Sequence, residues 1–559
     1  MADLLLFGLR PIVFALLLAV AYFAGLATYR LYLSPLSKIP RPKLAALTTW
    51  YEYYYDVFLP GQYVFKIKKL HEHYGPIIRI TPDEVSFSDP GAVDIIYAPG
   101  PGHRRDKNPR DGQALGTSEG IGATIGHNHH RRRRAPLSSL FSRQSVLRDG
   151  SWLLNEKSDQ LDAIFSRAAA AGEIVNLSDL YYGMTNDIVC QYSFGSNDNL
   201  LGDPARAGVL RNNLSALLRQ TNFGKHFTWI QSILSLFPVE YAPPGVKDMV
   251  QYRQKIRQQI DTVIGDRTTK EDDGQLPSII QIIHSDHKLP ASEKSRKRLE
   301  DEAALTVMAG TESPATSLSI AHYHILANPA IMARLRKELG QRPTHTLEEL
   351  DQLPYLDAVQ MEAFRLDFGL AGRHAMLDPD KPITFTYSGV AHVIPAGTPM
   401  SVQTLVQHTN EDIFPDPWIF KPERWLGEEG AMRRKHLLSF NKGLRQCLGI
   451  NLAKAELCIG LAVAARWDMS LYETDDSDVT FLHDYFVATP KLDSKVSDTG
   501  GDVKVGQVEH HVELASLRQP AEIGLYTECK IETMIYTTIK CLTPALVGLL
   551  WRSRDLLNF

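Results

Sequence analysis

The hydrophobic pattern opens with an uninterrupted apolar stretch near the N-terminus. Residues 11–29 carry no charge and are flanked by Arg10 and Arg30. At about 1.5 Å per residue, a helix of this length just crosses a hydrocarbon core of about 30 Å. Basic residues are more frequent after the stretch than before it, which places the body of the chain on the cytosolic side. We therefore predict a single-pass membrane anchor over residues 1–30.

The same stretch has a second interpretation as a cleaved signal peptide. Ala21 and Ala24 resemble a small-residue cleavage site. The apolar run is longer than the usual signal core of about 7–15 residues, which favours the anchor. Residues 31–59 follow as a proline-containing linker, and we expect 34–42 to be stiff and extended because each proline fixes φ.

Beyond residue 60 helical periodicity dominates. Apolar residues recur at helical spacing through most of 130–370, for instance over 299–326, and further helices are predicted at 355–366 and 450–466. Short alternating runs predict strands at 77–80, 85–87, 383–386 and 391–394. The pattern predicts a mainly α protein with a minor β part.

Composition narrows the class of protein. The 60 Lys and Arg against 64 Asp and Glu leave a net charge of −4, and 44% of the residues are hydrophobic. These values exclude a largely disordered chain and argue against a generally basic nucleic-acid binder. Five scattered cysteines are too few for a disulfide framework and indicate a reducing compartment. By length alone, 559 residues suggest about three to four domains.

The strongest chemical signal is the stretch F-N-K-G-L-R-Q-C-L-G at 440–449. Gly443 and Gly449 permit unusual dihedral angles and a close approach of the backbone to a flat partner. Backbone amides and the N-terminus of the following helix are expected to lower the pKa of the Cys447 thiol. Arg445 is suited to pair with an acid group of the same ligand. An isolated cysteine would more often be structural, but five fixed positions together favour a ligand site.

This stretch fits F-x-x-G-x-R-x-C-x-G and resembles the signature of the haem-thiolate monooxygenases, the cytochrome P-450 family. The resemblance covers about residues 30–497, and further motifs follow in the family's order: H-R-R-R-R at 130–134, A-G-T-E-S at 309–313, E-A-F-R at 362–365 and P-E-R-W at 422–425. It implies the cytochrome P-450 fold, with a single catalytic domain over 60–497 behind the transmembrane helix. A C-terminal extension of unknown role, 498–559, remains outside the resemblance.

The resemblance implies heme b as the cofactor, with Cys447 as the axial ligand of its iron. The other residues that it assigns to the cofactor are His130, Arg134, Arg373, Phe440, Gly443, Arg445 and Gly449. His130 stands where tryptophan is usual, a replacement common in fungal members. Glu362 and Arg365 lie three apart on one helix face, and Arg424 is expected to join them in a charge triad.

The basic run at 127–134 has several interpretations. It fits a nucleic-acid or nuclear-localisation patch, a solvated helix face or a histidine-rich metal site. The anchor and the acidic balance argue against nucleic acid. A propionate explains only His130 and Arg134, so we expect the other arginines to form a cationic face that docks an acidic reductase.

The resemblance assigns proton delivery to Glu312 and Ser313, with Thr311 as a substitute donor. Ser313 departs from the threonine usual in the family, and it keeps the hydroxyl while losing the methyl that restricts the rotamer. Electrons are expected from NADPH through cytochrome P-450 reductase, with cytochrome b5 as a further partner, and O2 is the co-substrate. This set implies a monooxygenase in the endoplasmic reticulum membrane.

The predicted substrate is a hydrophobic small molecule of fungal secondary metabolism. The sequence is most similar to the trichodiene-oxygenase-like group, which favours a terpenoid first and a polyketide or indole alkaloid second. We expect the pocket to be lined by parts of 100–126, 210–237 and 304–313, and by segments near residues 370 and 486. Two alternatives stay open, namely a haem-thiolate isomerase or dehydratase without external electrons, and a non-catalytic haem-binding membrane protein.

Overall fold

The structure is a computed structural model, and it describes residues 2–97, 100, 102–111, 116–227, 244–265, 276–340, 346–492 and 502–507. The α-helices of the described part are, in chain order, Ala2–Thr28, Lys43–Leu47, Trp50–Tyr53, Tyr63–Tyr74, Ala92–Tyr97, His127–Arg134, Ser151–Ala171, Leu177–Phe194, Pro204–Arg219, Thr221–His226, Pro244–Gly265, Ile279–Ser285, Arg296–Ala327, Pro329–Leu339, Leu347–Leu350, Pro354–Leu366, Thr404–His408, Gly427–Arg433 and Ile450–Ala464.

The apolar N-terminal stretch is helical, as predicted. The helix Ala2–Thr28 continues into a π-helical turn, Tyr29–Leu33. Within the described residues, Ile12–Leu33 is the one helical segment long and apolar enough to cross a membrane, and none of it is buried. The prediction of an extended linker over 34–42 is only partly correct, because Pro35–Lys38 forms a 3₁₀ turn. Pro35 occupies the first position of this turn, where proline is tolerated.

Twelve strands form four small sheets within the described residues. They are β1 (Ile77–Arg79), β2 (Val85–Phe87), β3 (Asp106–Lys107), β4 (Ile174–Asn176), β5 (Met376–Leu377), β6 (Ile383–Tyr387), β7 (Val390–Ile394), β8 (Met400–Val402), β9 (Trp467–Leu471), β10 (His483–Tyr485), β11 (Val487–Thr489) and β12 (Asp502–Gln507). The largest sheet has the order β1-β2-β8-β5-β3, in which only β2 and β8 run parallel. The other sheets are β4-β12-β9, β6-β7 and β10-β11. The mainly α class with a minor β part is therefore confirmed.

A 32-residue helix, Arg296–Ala327, crosses the core, and we call it the central helix. It packs most extensively on the helix Leu177–Phe194. The two approach closely at Gly310, where an added Cβ would come within 2.5 Å of a Val189 methyl carbon. Glycine at this position therefore sets the separation of the two helices, which in turn sets the position of the motif that follows it.

The length-based expectation of three to four domains is wrong for this chain. Residues 1–508 form one compact unit, whose main hydrophobic core extends from Leu137 to Val503. The last strand, β12, pairs with β4 and β9 and lies beyond residue 497, where the sequence resemblance ends. The remainder of the predicted extension, 498–501 and 508–559, lies outside the described residues.

Candidate active site

The loop that carries Cys447 joins a 3₁₀ turn to a long helix. Gly443–Arg445 forms the turn, and Gly443 adopts a left-handed φ of 65°, which favours glycine. The Cys447 amide donates a 2.8 Å hydrogen bond to the carbonyl oxygen of Phe440, which closes the loop. The helix Ile450–Ala464 begins three residues further on. These contacts fix the position of the thiol.

The Cys447 side chain is exposed. Burial raises the pKa of the thiol, while the backbone N–H of Gly449 and the Arg134 guanidinium act in the opposite direction without reversing the shift. The lowered pKa predicted from the sequence is therefore wrong for the protein alone. An accessible thiol is suited to a metal cation, which deprotonates a coordinating thiol.

Basic side chains gather beside this thiol. His130 is buried, and its Nδ1 has no hydrogen-bond partner among the described residues. Arg445 donates to the main-chain oxygens of residues 124 and 125, at 2.6 and 2.5 Å, and its buried Nε is likewise unpartnered within the described part. Arg134 donates to the carbonyl oxygen of Gln446 at 2.7 Å. Two buried nitrogens are thus left beside the cysteine loop without an acceptor.

Neighbouring positive charges disfavour the protonation of His130. Burial, followed by the charges of Arg445, Arg134 and Lys107, lowers the pKa of His130 to about 3. Burial also lowers the pKa of Arg445 to about 10, against the opposing effect of Asp106. Arg445 and Arg134, the two arginines that lower the pKa of His130, would be stabilised by an anionic ligand. The electrostatics therefore fit a partner that carries carboxylates.

The space around Gly449 shows whether a flat group can lie against the loop. Its φ of −86° is one that any residue adopts, so the unusual dihedral predicted for it is wrong. An added Cβ would meet no atom of the described residues within 4 Å. Protein packing therefore does not require glycine here, whereas a planar ligand lying on the loop would. Together with the thiol and the unpartnered nitrogens, this open side fits a flat ligand that carries a metal ion and carboxylates, such as haem.

Arg373 lies in a different cluster. Its Nε donates to Glu84 at 2.9 Å and its Nη2 donates to Glu52 at 2.5 Å. Burial alone would lower the pKa of Arg373, but these two carboxylates raise it well above its ordinary value. Among the described residues, no hydrogen bond or ion pair connects it to Cys447 or to the basic groups beside it. Buried acids thus compensate the charge of Arg373, and its contact with the cofactor stays a prediction.

The basic helix His127–Arg134 does not present a uniform cationic face. Arg131 and Arg132 are exposed, whereas Arg133 is buried and its Nε lies 2.6 Å from a carboxylate oxygen of Glu293. Arg133 also donates to Thr124 at 2.8 Å. The expectation that all remaining arginines form a docking face is therefore wrong for Arg133, which instead holds the helix to the protein interior.

The structure brings the three members of the predicted charge triad together. Arg365 Nε and Nη2 each donate to the Glu362 carboxylate at 2.8 Å, and Arg424 Nε donates to it at 2.9 Å. All three side chains are buried. Burial alone would raise the pKa of Glu362, but the two guanidinium groups lower it, so the carboxylate is ionised. Buried charges need such complete pairing to be tolerated.

Sequence reasoning missed two partners of this triad. Trp425 Nε1 donates to the second Glu362 oxygen at 2.8 Å. His408 contacts the main-chain oxygen of Arg365 at 2.9 Å and accepts a hydrogen bond from the amide of Leu438, just before the cysteine loop. Trp425 directly follows the P-E-R motif, which was the available signal, whereas His408 lies in no motif.

On the central helix, the three predicted catalytic residues face different ways. Ser313 is exposed, and its Oγ donates to the carbonyl oxygen of Ala309 at 2.6 Å. Thr311 is 1% exposed, donates to a main-chain oxygen one turn earlier and accepts a hydrogen bond from Asn186. The structure therefore does not bring Thr311 to the side on which Ser313 lies. Pro314 has no N–H to donate to the Gly310 carbonyl one turn earlier.

Glu312 lines a small cavity near the C-terminal end of the helix Pro204–Arg219. That helix contributes Ser215, Leu218 and Arg219, and the β10–β11 hairpin contributes Tyr485 and residues 487–490. The cavity therefore combines three of the segments predicted to line the pocket, namely 210–237, 304–313 and the segment near 486. Residues 228–237 of the first segment lie outside the described residues.

Comparison with known proteins agrees with this geometry. A family profile described as Cytochrome P-450 matches residues 48–490. The cytochrome P-450 monooxygenase tpcC of Cochliobolus heterostrophus is 35% identical over 501 residues, covering 85% of this chain and 94% of the relative. The monooxygenase TRI4 of Fusarium sporotrichioides is 32% identical, with 87% and 94% covered. Conidiogenone synthase PchP450 of Penicillium rubens is 34% identical, with 87% and 96% covered.

A solved structure supports the fold independently. The crystal structure of a cytochrome P-450, CYP102L1, matches with a TM-score of 0.63 and 16% identity. The match covers 84% of this chain and 98% of that one. At this identity the likeness concerns the fold alone, whereas the profile match and the curated relatives concern the sequence itself. The chain therefore belongs to the cytochrome P-450 family, in which the relatives tpcC and TRI4 are named as monooxygenases.

Proposed function

We propose that this chain is a monooxygenase that inserts one atom of O2 into a terpenoid of fungal secondary metabolism, with a polyketide or an indole alkaloid as the second choice. The family carries haem on a cysteine thiolate and receives electrons from a reductase. The observation that carries the proposal is the exposed Cys447 thiol beside the buried, unpartnered nitrogens of His130 and Arg445. The terpenoid choice is supported by the similarity to the trichodiene-oxygenase-like group.

In this mechanism the chain would hold the cofactor at two places, its iron and its propionates. The Cys447 thiolate would bind the iron, while His130, Arg134 and Arg445 would bind the propionates. When bound, haem supplies the activation of O2 and the insertion of oxygen into a C–H bond. The 2.8 Å bond from the Cys447 amide to Phe440 holds the ligand atom in place. The triad around Glu362 stabilises the segment that leads into this loop.

Protons would reach the oxygen side through the central helix. The Ser313 hydroxyl donates to Ala309, and its lone pairs remain available to accept a hydrogen bond from water. Glu312, which lines the neighbouring cavity, would supply a proton to this water, and Ser313 would pass on its own proton as it takes one from the water. The buried Thr311 takes no part. The apolar side chains on the same cavity wall, such as Leu218 and Val487, would contact the hydrocarbon part of the substrate.

Electrons would come from NADPH–cytochrome P-450 reductase, with cytochrome b5 as a second partner. Arg131 and Arg132 are exposed on the helix whose next turn contacts the cysteine loop through Arg134. Arg131 and Arg132 would attract an acidic surface of the reductase. The apolar segment Ile12–Leu33 would anchor the enzyme in the endoplasmic reticulum membrane, with the catalytic domain over 60–497, extended by β12, in the cytosol.

The test is turnover in membranes that contain the full chain and a reductase. Candidate terpenoids are supplied with NADPH and isotopically labelled O2, and products are identified by mass spectrometry. We expect product that contains one labelled oxygen atom and that depends on both NADPH and reductase, and no product with Cys447→Ala. Product without NADPH would support the isomerase or dehydratase instead. A haem spectrum without conversion of any class of substrate would support a binding protein.

A further inference from the structure

A cluster of buried charges lies outside the site described above. Glu52 and Asp56 are on the N-terminal segment 50–58, and both are at most 2% exposed. Lys225, on the helix Thr221–His226, lies between them. Its Nζ is 3.0 Å from Glu52 Oε1 and 2.5 Å from Asp56 Oδ2. We call Glu52, Asp56 and Lys225 the lysine clasp.

Lys225 is the charged partner on which Asp56 depends. Glu52 has two further cations, Arg373 at 2.5 Å and Arg110 at 3.4 Å. Asp56 has only His226 besides Lys225, at 4.0 Å, among the ion pairs of the described residues. Burial lowers the pKa of His226 to about 4, so this ring is neutral at physiological pH. Removing Lys225 would therefore leave a buried acid without a cation, which strongly destabilises the contact.

The helix that carries Lys225 is held on a second side. Asn222 Nδ2 donates to the main-chain oxygen of Asp484 in β10 at 2.6 Å. The Tyr53 ring meets the rings of His226 and Phe227 edge-on, with centroids 5.2 and 5.5 Å apart. The helix thus connects the N-terminal segment to the β10–β11 hairpin.

Of the two connected parts, the β10–β11 hairpin belongs to the wall of the cavity beside Glu312. Thr221–His226 begins two residues after Arg219, which lines that cavity together with Leu218. The hairpin contributes Tyr485 and its neighbours to the same wall. A displacement of the helix would therefore move residues that contact a substrate in the cavity.

We propose that Lys225 is a positioning residue that holds this wall against the N-terminal segment and limits how fast small molecules reach and leave the cavity. Lys225 touches neither the cavity nor the cysteine loop in the contacts of the described residues, so it acts through the helix that it anchors. This role rests on the proposed function, because exchange is read out at the haem. Loss of the lysine clasp raises both the association rate and the dissociation rate of small molecules and leaves the chemistry at the iron unaltered.

The experiment uses the full-length haem-loaded protein and 1-phenylimidazole as the probe, followed by stopped-flow absorbance. We expect Lys225→Met to raise both the association and the dissociation rate at least about fivefold, which corresponds to about 1 kcal/mol. Lys225→Arg keeps the charge and should stay near the wild-type rates. The matched control is Lys255→Met, which removes a surface ion pair with Asp198 and should not change the rates.

Exchange rates of Lys225→Met within about twofold of the control, with a normal haem spectrum, would overturn the proposal even if the variant unfolded at a lower temperature. If Lys225→Met retains no haem, Asn222→Ala decides, because it releases the helix from Asp484 without leaving a buried charge. Faster exchange in Asn222→Ala supports the positioning role, and unchanged exchange overturns it. A wild-type chain that binds no haem would instead contradict the proposed function.

Discussion

Nδ1 of His408 donates a 2.9 Å hydrogen bond to the main-chain oxygen of Arg365, while Nε2 of the same ring accepts one from the amide of Leu438, also at 2.9 Å. The ring is buried and neutral, because burial and then the charge of Arg365 lower its pKa to about 3. A neutral ring can donate at one nitrogen and accept at the other. His408 thereby connects the helix of the charge triad to the segment that leads into the cysteine loop.

We expect His408→Phe to lower the haem-to-protein ratio and to cost about 2–4 kcal/mol of stability, since two buried backbone groups lose their partners. The measurements are haem content after purification and the thermal unfolding midpoint. His287→Ala, which changes an exposed histidine, is the control. Unchanged haem content and an unchanged midpoint in His408→Phe would contradict the structural role.

The same variant has a pH-dependent signature. The pKa of His408 is lower in the folded protein than the unfolded value of about 6.5. Its contribution to stability is therefore complete above about pH 6.5 and is lost as the pH falls towards about 3. Between about pH 7.5 and pH 5.5, the advantage of the wild type over His408→Phe should shrink by about 1.4 kcal/mol. A difference in midpoints that stays constant over this interval would show that the pKa of the ring is not lowered in the folded protein.

Local spacing made part of this site predictable. Glu362 and Arg365 lie one helical turn apart, so their contact follows from the sequence once the helix is recognised. The cysteine loop is equally local, because its residues are contiguous. The positions of Gly310 and Ser313 follow from the same central helix, whose predicted bounds of 299–326 differ from Arg296–Ala327 by only a few residues.

Contacts between distant segments could not be predicted in this way. Arg373 pairs with Glu52, which lies 321 positions earlier, and no local pattern marks that pairing. The burial of Arg133 depends likewise on Glu293, 160 positions away. The sequence predicts a lowered pKa for Cys447 because it shows only the neighbouring amides, whereas burial by the surrounding protein raises this pKa. Such properties depend on which segments pack together.

His130 tests the assignment of the cofactor pocket. Its buried Nδ1 has no partner among the described residues, so a donor at this position is expected to bind a propionate. We expect His130→Phe to release haem about tenfold more readily, since a hydrogen bond to a charged group contributes about 1.5–3 kcal/mol. His130→Trp should retain haem, because the indole N–H is also a donor. The rate of haem transfer to apomyoglobin measures both variants, and equal rates in Phe and Trp variants would contradict a donor role.

Ser313 and Thr311 are predicted to behave oppositely, because one is exposed and the other faces the helix Leu177–Phe194. Ser313→Ala should raise the peroxide released per NADPH, whereas Ser313→Thr should lower it by restricting the rotamer. Thr311→Val should reduce stability by about 1–3 kcal/mol through its lost bond to Asn186, with no change in peroxide yield. The measurements are peroxide per NADPH consumed and the unfolding midpoint. A peroxide yield that responds to Thr311 and not to Ser313 would reverse the assignment.

Gly310 is predicted to be required by packing, since a Cβ there would lie 2.5 Å from Val189 Cγ2. Gly310→Ala must push the central helix away from Leu177–Phe194 or force Val189 off its rotamer, at a cost of about 1–3 kcal/mol. Val189→Ala removes the obstructing methyl groups, so the double variant should recover much of that loss, as a non-additive pair in contact.

Gly449→Ala is the contrasting substitution, because an added Cβ meets no atom of the described residues. It should leave the stability of the haem-free protein unchanged and lower its haem occupancy. Thermal unfolding of each variant with and without haem separates the two effects. Simple additivity of the Gly310 and Val189 changes would mean that another contact fixes the helix separation.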